Sequence, residues 1–132
     1  MTRAAIERAV KRALAYWRPL TDTEHWEIDV FWHDTPGTYD GRTMGMVIQP
    51  EYEAAELYVN VDLIEQTEAT AKTLEYDTLH ELAHLHTAAL VALAEGRSGE
   101  IAVRHASEIA TKKFASACWR AHYLEEPPVR GT

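Results

Sequence analysis

The chain has 132 residues, of which 46% are hydrophobic, and it carries a formal net charge of -8. This length predicts one domain with a real core, over residues 1–132, with a polar tail from about residue 125. The acidic balance argues against nucleic acid as the main partner, because phosphate binding relies on Lys and Arg. No apolar run reaches the roughly 18 residues that a membrane-spanning helix needs. We therefore expect a soluble domain that binds neither nucleic acid nor membrane.

The N-terminal segment is basic, as many targeting peptides are. It contains Glu7 and has no continuous apolar block, so a folded helix is the better prediction. Cys118 is the single cysteine, which excludes an internal disulfide. These features predict a cytoplasmic protein in which Cys118 is a small buried apolar residue.

The first half of the chain predicts a helix followed by three strands. Apolar residues recur at helical spacing from about residue 3 to residue 17, and Pro19 then favours the end of the helix. Alternating residues predict strands in "HWEIDVFWHD", from Met44 to Ile48, and in "ELYVNVD". Turn signals at Pro36-Gly37 and Asp40-Gly41 separate the first two strands.

The second half of the chain predicts helices. Asp62 can cap a short helical turn that begins at Leu63. The stretch from about Ala71 to Ala94 is apolar almost all round, so it should run through the core, and Gly96 then breaks it. A last helix follows from about Gly99 to Tyr123. The order predicts an α+β fold with a small, mostly antiparallel three-stranded sheet.

The buried helix carries the segment "TLHELAHLHT", which contains the pattern HExxH at His80, Glu81 and His84. Residues i and i+4 lie on one face of a helix, so both imidazoles can bind one ion. Glu81 lies about 100° round the helix, where it can reach a water at the metal without being a ligand. Zn²⁺ lowers the pKa of such a water to about 7, and a carboxylate base can then assist its attack on a carbonyl.

The alternative is a core helix with hydrogen-bonded histidines and no metal. Two histidines and a glutamate inside an apolar helix cost free energy unless something satisfies them. A zinc ion in a cleft would do so, and we therefore favour a metal site. His86 lies about 200° from His84, on the opposite face, so we expect it to make a partly exposed polar contact instead.

A catalytic zinc needs a third protein ligand. The metzincin continuation is excluded, because it requires Gly and His where this chain has Thr87 and Leu90. The last helix and the connection before it offer Glu108, His105, Glu100 and Glu95 as candidates. Glu108 is at the centre of the last helix, among apolar neighbours, and is the favoured one. His105 and Glu100 remain open, since a change in helix register would exchange their places with Glu108.

The chain resembles the zincin metallopeptidases, specifically a minimal, single-domain, gluzincin-like type. The resemblance rests on "HELAH" in a buried helix, on a preceding β-rich segment that ends in "AELYVNV", and on a following helix with "HASEIA". Small zincin-like proteins of bacteriophages and related bacterial genomes have a similar pattern. The resemblance implies Zn²⁺ bound by His80, His84 and Glu108, with Glu81 as the general base. It also implies an edge strand, at Glu56 to Val61, that binds an extended peptide beside the metal.

Two functions are compatible with this pattern. The first is a zinc-dependent endopeptidase acting on a peptide or protein substrate. It is suggested by Glu81, because metal binding alone does not require a carboxylate at this position. The second is a catalytically weak or silent zincin-fold module, of phage or mobile-element origin, that binds peptides. The sequence predicts no separate C-terminal subdomain, and His105 and Tyr123 are the candidates for stabilising an oxyanion.

Overall fold

The computed structural model describes residues 1–33, 41–94 and 100–128, without the side chains of residues 89, 93, 100 and 101. The predicted turn at Pro36-Gly37, Asp40 of the second predicted turn, the helix break at Gly96, the candidate ligand Glu95 and the side chain of the candidate ligand Glu100 lie outside what is described. The α-helices and strands are α1 (Arg3–Leu20), β1 (Glu27–Phe31), β2 (Met44–Gln49), β3 (Ala54–Val59), α2 (Val61–Glu65), α3 (Ala71–Ala94) and α4 (Glu100–Tyr123). A 3-10 helix (Pro50–Tyr52) joins β2 to β3.

Helix α1 buries one apolar face, as its spacing predicts. Ile6, Val10, Ala13 and Trp17 are buried, and the side chain of Thr2 caps the first turn by accepting a hydrogen bond from the N–H of Ala5. The helix continues through Pro19, where its end was predicted. A proline in the last turn removes only one donor, and the N–H of Thr21 bonds to the carbonyl of Trp17 to complete the turn.

The sheet is mixed, with the strand order β1-β3-β2. β1 pairs with β3 in parallel, whereas β2 pairs with β3 in antiparallel orientation. The prediction of a mostly antiparallel sheet is therefore wrong for the β1–β3 pair. The prediction that Glu56 to Val61 forms an edge is also wrong, because β3 is hydrogen-bonded on both sides. Both faces of β3 are covered. On one face Leu57 and Val59 pack against buried residues of the helices, and on the other face Tyr58 stacks on Phe31.

Helix α3 lies at the centre of the molecule and contacts α1, α4 and β2. One buried cluster surrounds Leu79 and Leu82 between the tryptophans Trp17 of α1 and Trp119 of α4. A second cluster places Leu74 against the sheet and α2. The predicted burial of this helix is confirmed up to Leu85, but Leu90 is 67% exposed, so the last turns leave the core.

Helix α2 begins at Val61, two residues before the predicted start. Its N-cap is Asn60, whose side-chain oxygen accepts a hydrogen bond from the N–H of Leu63. Asp62 lies inside the first turn and is not the cap. No helix among the described residues is long and apolar enough to cross a membrane.

Candidate metal centre

The two histidines of HExxH lie together on one face of α3, as their spacing predicts. The ring centroids of His80 and His84 are 5.0 Å apart. The His80 side chain is 1% exposed, and that of His84 is 22% exposed. Packing of α3 between α1, α4 and the sheet therefore holds one imidazole inside the core and the other at the surface of a cleft.

Helix α4 brings Glu108 to both imidazoles. Its Oε1 lies 2.9 Å from Nε2 of His80, and its Oε2 lies 3.2 Å from Nε2 of His84. The Glu108 side chain is 42% exposed, so this contact lies at the open side of the site. His105, the alternative in the same helix, makes no hydrogen bond or ion pair with either histidine in the part of the chain that is described. The favoured candidate is thus the one that the fold brings to the pair.

Glu81 completes a group that could hold a metal ion. One ligand atom each from His80, Glu81 and His84 lies within 4.8 Å of the others. Glu81 is only 5% exposed, yet it lines the same cleft as the histidines. The four residues that the sequence singles out are therefore brought together by two helices.

A further residue, Thr111, was not predicted to belong to the site. Its hydroxyl lies 3.3 Å from Nδ1 of His84, and the side chain is fully buried. When Nδ1–H of His84 donates a hydrogen bond to this hydroxyl, the lone pair of the ring is on Nε2, the atom that would bind an ion held together with Glu108. The available signal was the spacing in α4, since Thr111 follows Glu108 by three residues and so shares its face.

The site opens into a cleft of about 1160 Å³ between β2, α3 and α4. Strand β2 forms one wall through Met46, Val47 and Ile48. The opposite wall is helical, and His105 is part of it. A smaller hollow of about 200 Å³, beside Asp29 and Glu56, contains none of the residues of the candidate site.

The remaining candidates lie elsewhere. His86 is on the far face of α3, where its Nε2 contacts the carbonyl oxygen of Thr21, as expected for a residue that does not join the site. Tyr123 does not line the cleft; its hydroxyl donates a 2.6 Å hydrogen bond to Glu75, and burial and this bond raise the pKa of the phenol. Partial burial likewise raises the pKa of the Cys118 thiol, which disfavours the reactive thiolate.

Comparison with known proteins adds nothing to this geometry, because no protein-family model, curated protein or solved structure matches the chain at a significant level.

Proposed function

We propose that the chain is a zinc-dependent endopeptidase in which His80, His84 and Glu108 bind the ion and Glu81 is the general base. One observation carries this proposal: a single carboxylate, from a different helix, reaches Nε2 of both imidazoles at 2.9 and 3.2 Å. An exposed glutamate on a packed helix has many directions to point in. Its position between the two imidazoles is the arrangement that a three-ligand metal site needs.

The donor set fits zinc. Catalytic zinc sites use three protein ligands from His, Asp, Glu or Cys and keep a fourth position open. Tetrahedral bonds of about 2.0–2.1 Å place neighbouring ligand atoms about 3.3 Å apart, close to the separations between Glu108 and the two histidines. The cleft leaves the outer side of the group accessible. These residues can therefore bind the ion with small shifts of their side chains.

The chemistry then depends on Glu81. Bound zinc would polarise a substrate carbonyl and lower the pKa of water to about 7. The Glu81 carboxylate, one residue after His80, accepts the proton of the attacking water and passes it to the amine that leaves. The Thr111 hydroxyl, 3.3 Å from Nδ1 of His84, would hold the imidazole in its orientation while the peptide bond is cleaved. Each protein group in this scheme lies in the cleft or directly behind it.

The shape of the cleft favours an extended peptide as the substrate. Successive side chains of a strand point to opposite faces, but Met46, Val47 and Ile48 all line the cleft, so the cleft follows the edge of β2. β2 pairs only with β3 among the described residues. A peptide could add to its outer edge and pass the histidines, which supports the strand-addition mode with β2 in place of β3.

The test compares Glu81→Gln and Glu108→Ala with the wild-type protein. Zinc content is measured by elemental analysis after dialysis, and hydrolysis is measured on a mixed peptide library by mass spectrometry. Glu81→Gln should keep stoichiometric zinc and lose at least about 100-fold in turnover, because the general base is gone. Glu108→Ala should lose both zinc and turnover, because a ligand is gone.

His105→Ala is the matched control, since His105 lines the same cleft on the same helix but does not contact the histidines. It should retain zinc. Full hydrolysis by Glu81→Gln would exclude the proposed mechanism. Stoichiometric zinc without any cleavage by the wild-type protein would instead identify a binding module, and absence of zinc would exclude both functions.

A further inference from the structure

Three hydroxyl groups form a chain of contacts that ends at Nδ1 of His84. The Oγ of Ser107 lies 3.4 Å from Oγ1 of Thr87, which in turn lies 3.5 Å from Oγ1 of Thr111. The last contact, of 3.3 Å, joins Thr111 Oγ1 to the ring nitrogen. Thr87 also donates a hydrogen bond of 3.2 Å to the backbone carbonyl of His84. Ser107 and Thr87 line the cleft, whereas Thr111 is fully buried.

The directions of these hydrogen bonds follow from the number of protons. Each hydroxyl has one proton to donate and two lone pairs with which to accept. A carbonyl oxygen can only accept, so the proton of Thr87 is used on the carbonyl of His84. Thr87 then accepts from both Ser107 and Thr111. With its own proton given to Thr87, the Thr111 hydroxyl accepts from the ring of His84.

In this assignment the neutral ring of His84 carries its proton on Nδ1. With the ring proton on Nε2 instead, only the three hydroxyl protons would serve the four contacts. One of the contacts would then lack a hydrogen bond, which costs free energy at buried groups. With the proton on Nδ1, the lone pair of Nε2 faces Oε2 of Glu108 at 3.2 Å, and a cation between the two atoms would be attracted by both.

We propose that Thr87 is a positioning residue, which fixes the tautomer of His84 through Thr111 and so keeps Nε2 available for a metal ion. The direction of the whole chain of bonds is set by a backbone carbonyl of α3, which has no proton to give. Thr87 lies three residues after His84, so the helix that carries the candidate ligand also supplies the group that sets its tautomer. The proposal rests on the proposed function only in taking Nε2 as the atom that binds zinc.

Replacing Thr87 by Val should move the ring proton of His84 from Nδ1 to Nε2. Valine neither donates nor accepts a hydrogen bond, so the buried hydroxyl of Thr111 loses the acceptor of its proton. Nδ1 of His84 is then the acceptor within reach, and the direction of that bond reverses. A protonated Nε2 cannot bind zinc until its proton leaves, so zinc affinity should fall about 10- to 100-fold.

The experiment determines the tautomer of His84 by NMR in the zinc-free protein. Spectra are recorded at about pH 8.5, two units above the usual pKa of histidine. Glu108→Ala is the starting protein, because it removes the carboxylate that favours a second proton on the ring. The nitrogen shifts of the ¹⁵N-labelled ring distinguish N–H from a lone pair, and the signal is assigned by its loss in His84→Gln. The ring should carry its proton on Nδ1, and on Nε2 once Thr87→Val is added.

Two further variants in the same background are the controls. Thr87→Ser keeps the hydroxyl and should keep the proton on Nδ1. Ser107→Ala removes the donor at the far end of the chain, so the other three bonds should keep their directions and the proton should stay on Nδ1. Thr87→Ala has the same expected outcome as Thr87→Val and replaces it if that variant does not fold. A ring with its proton on Nε2 in the starting protein, or on Nδ1 after Thr87→Val or Thr87→Ala, would overturn the proposal.

These outcomes are separable from those for the proposed function, because the tautomer is measured without zinc and without substrate. Zinc affinity is measured separately, by competition with a chelator, in proteins that retain Glu108. If the ring proton moves as expected while the wild-type protein binds no zinc, the role of Thr87 stands and the metal centre fails. If the wild-type protein binds zinc and cleaves peptides, but Thr87→Val changes neither the tautomer nor the affinity, the peptidase proposal stands and the role of Thr87 fails.

Discussion

Thr111 shows how a residue without metal-binding chemistry can control a metal ligand. A neutral imidazole carries its proton on one nitrogen, and the partner of the other nitrogen decides which one. The buried hydroxyl of Thr111 lies 3.3 Å from Nδ1 of His84 and can accept a hydrogen bond from Nδ1–H; in that tautomer Nε2, the atom that faces Glu108, is left to bind an ion. One turn of α4 thus supplies both a candidate ligand and the group that orients another.

Replacing Thr111 by Val should weaken zinc binding while the fold is retained. Valine keeps the shape of the side chain but cannot accept a hydrogen bond from Nδ1–H, and loss of such a partner typically costs about 10- to 100-fold in metal affinity. The measurement is competition with a chelator of known affinity. Thr78→Val is the control, because Thr78 is also buried but bonds to the carbonyl of Leu74 in its own helix. A Thr111→Val protein with wild-type affinity would show that Thr111 does not orient His84.

The sequence predicts the α3 part of the site better than the α4 part. His80, Glu81 and His84 follow from spacing within one helix, and the structure places them together. Glu108 is favoured over His105 and Glu100 by its central position among apolar neighbours in α4 and by the resemblance to the zincins, not by any fixed spacing from the histidines. The contact depends on how α3 and α4 are rotated against each other, which side-chain volumes along both helices decide. Thr111 was missed for the same reason.

At the level of elements, the position of β3 in the sheet could not be predicted from its own pattern. Alternation shows which residues are buried, but it does not show whether one or two strands pair with the backbone. β3 follows β2 closely, which favours their antiparallel pairing. Its parallel pairing with β1 is a long-range contact, and it leaves β2, among the described strands, as the edge strand beside the site in place of β3.

The cap of α2 gives a test at the same scale. Asn60→Ala should lower the free energy of unfolding by about 1 kcal/mol, because the side-chain oxygen that satisfies the N–H of Leu63 is lost. Asp62→Ala should cost only a few tenths, as expected for an acidic residue in the first turn. Urea denaturation followed by circular dichroism measures both. A larger loss for Asp62→Ala would favour the cap predicted from the sequence.

For the whole molecule, the candidate metal centre is a junction between α3 and α4. Among the described side chains of α4, the buried ones are Thr111, Ala115 and Trp119, all in its second half. From residue 102 to residue 110 the described side chains are exposed or only partly buried. Few apolar contacts therefore hold this part of the helix, and its polar contacts with α3 include that of Glu108 with the two histidines and that of the Ser107 hydroxyl with Thr87.

Zinc binding should consequently stabilise the molecule unevenly. An ion that binds only the folded state adds about 4 kcal/mol when its free concentration is 1,000 times the dissociation constant, so Tm should rise with zinc concentration. Hydrogen exchange should slow most in residues 102–110, because the ion would link this weakly packed segment to the core. Exchange of the amides of α1, which does not contribute to the site, should slow little, except for amides that exchange only by global unfolding.

Two variants serve as controls. Glu81→Gln should behave like the wild-type protein, whereas His84→Ala should lose the zinc-dependent stabilisation. Equal protection of α1 and α4, or stabilisation that survives in His84→Ala, would place the zinc ion elsewhere.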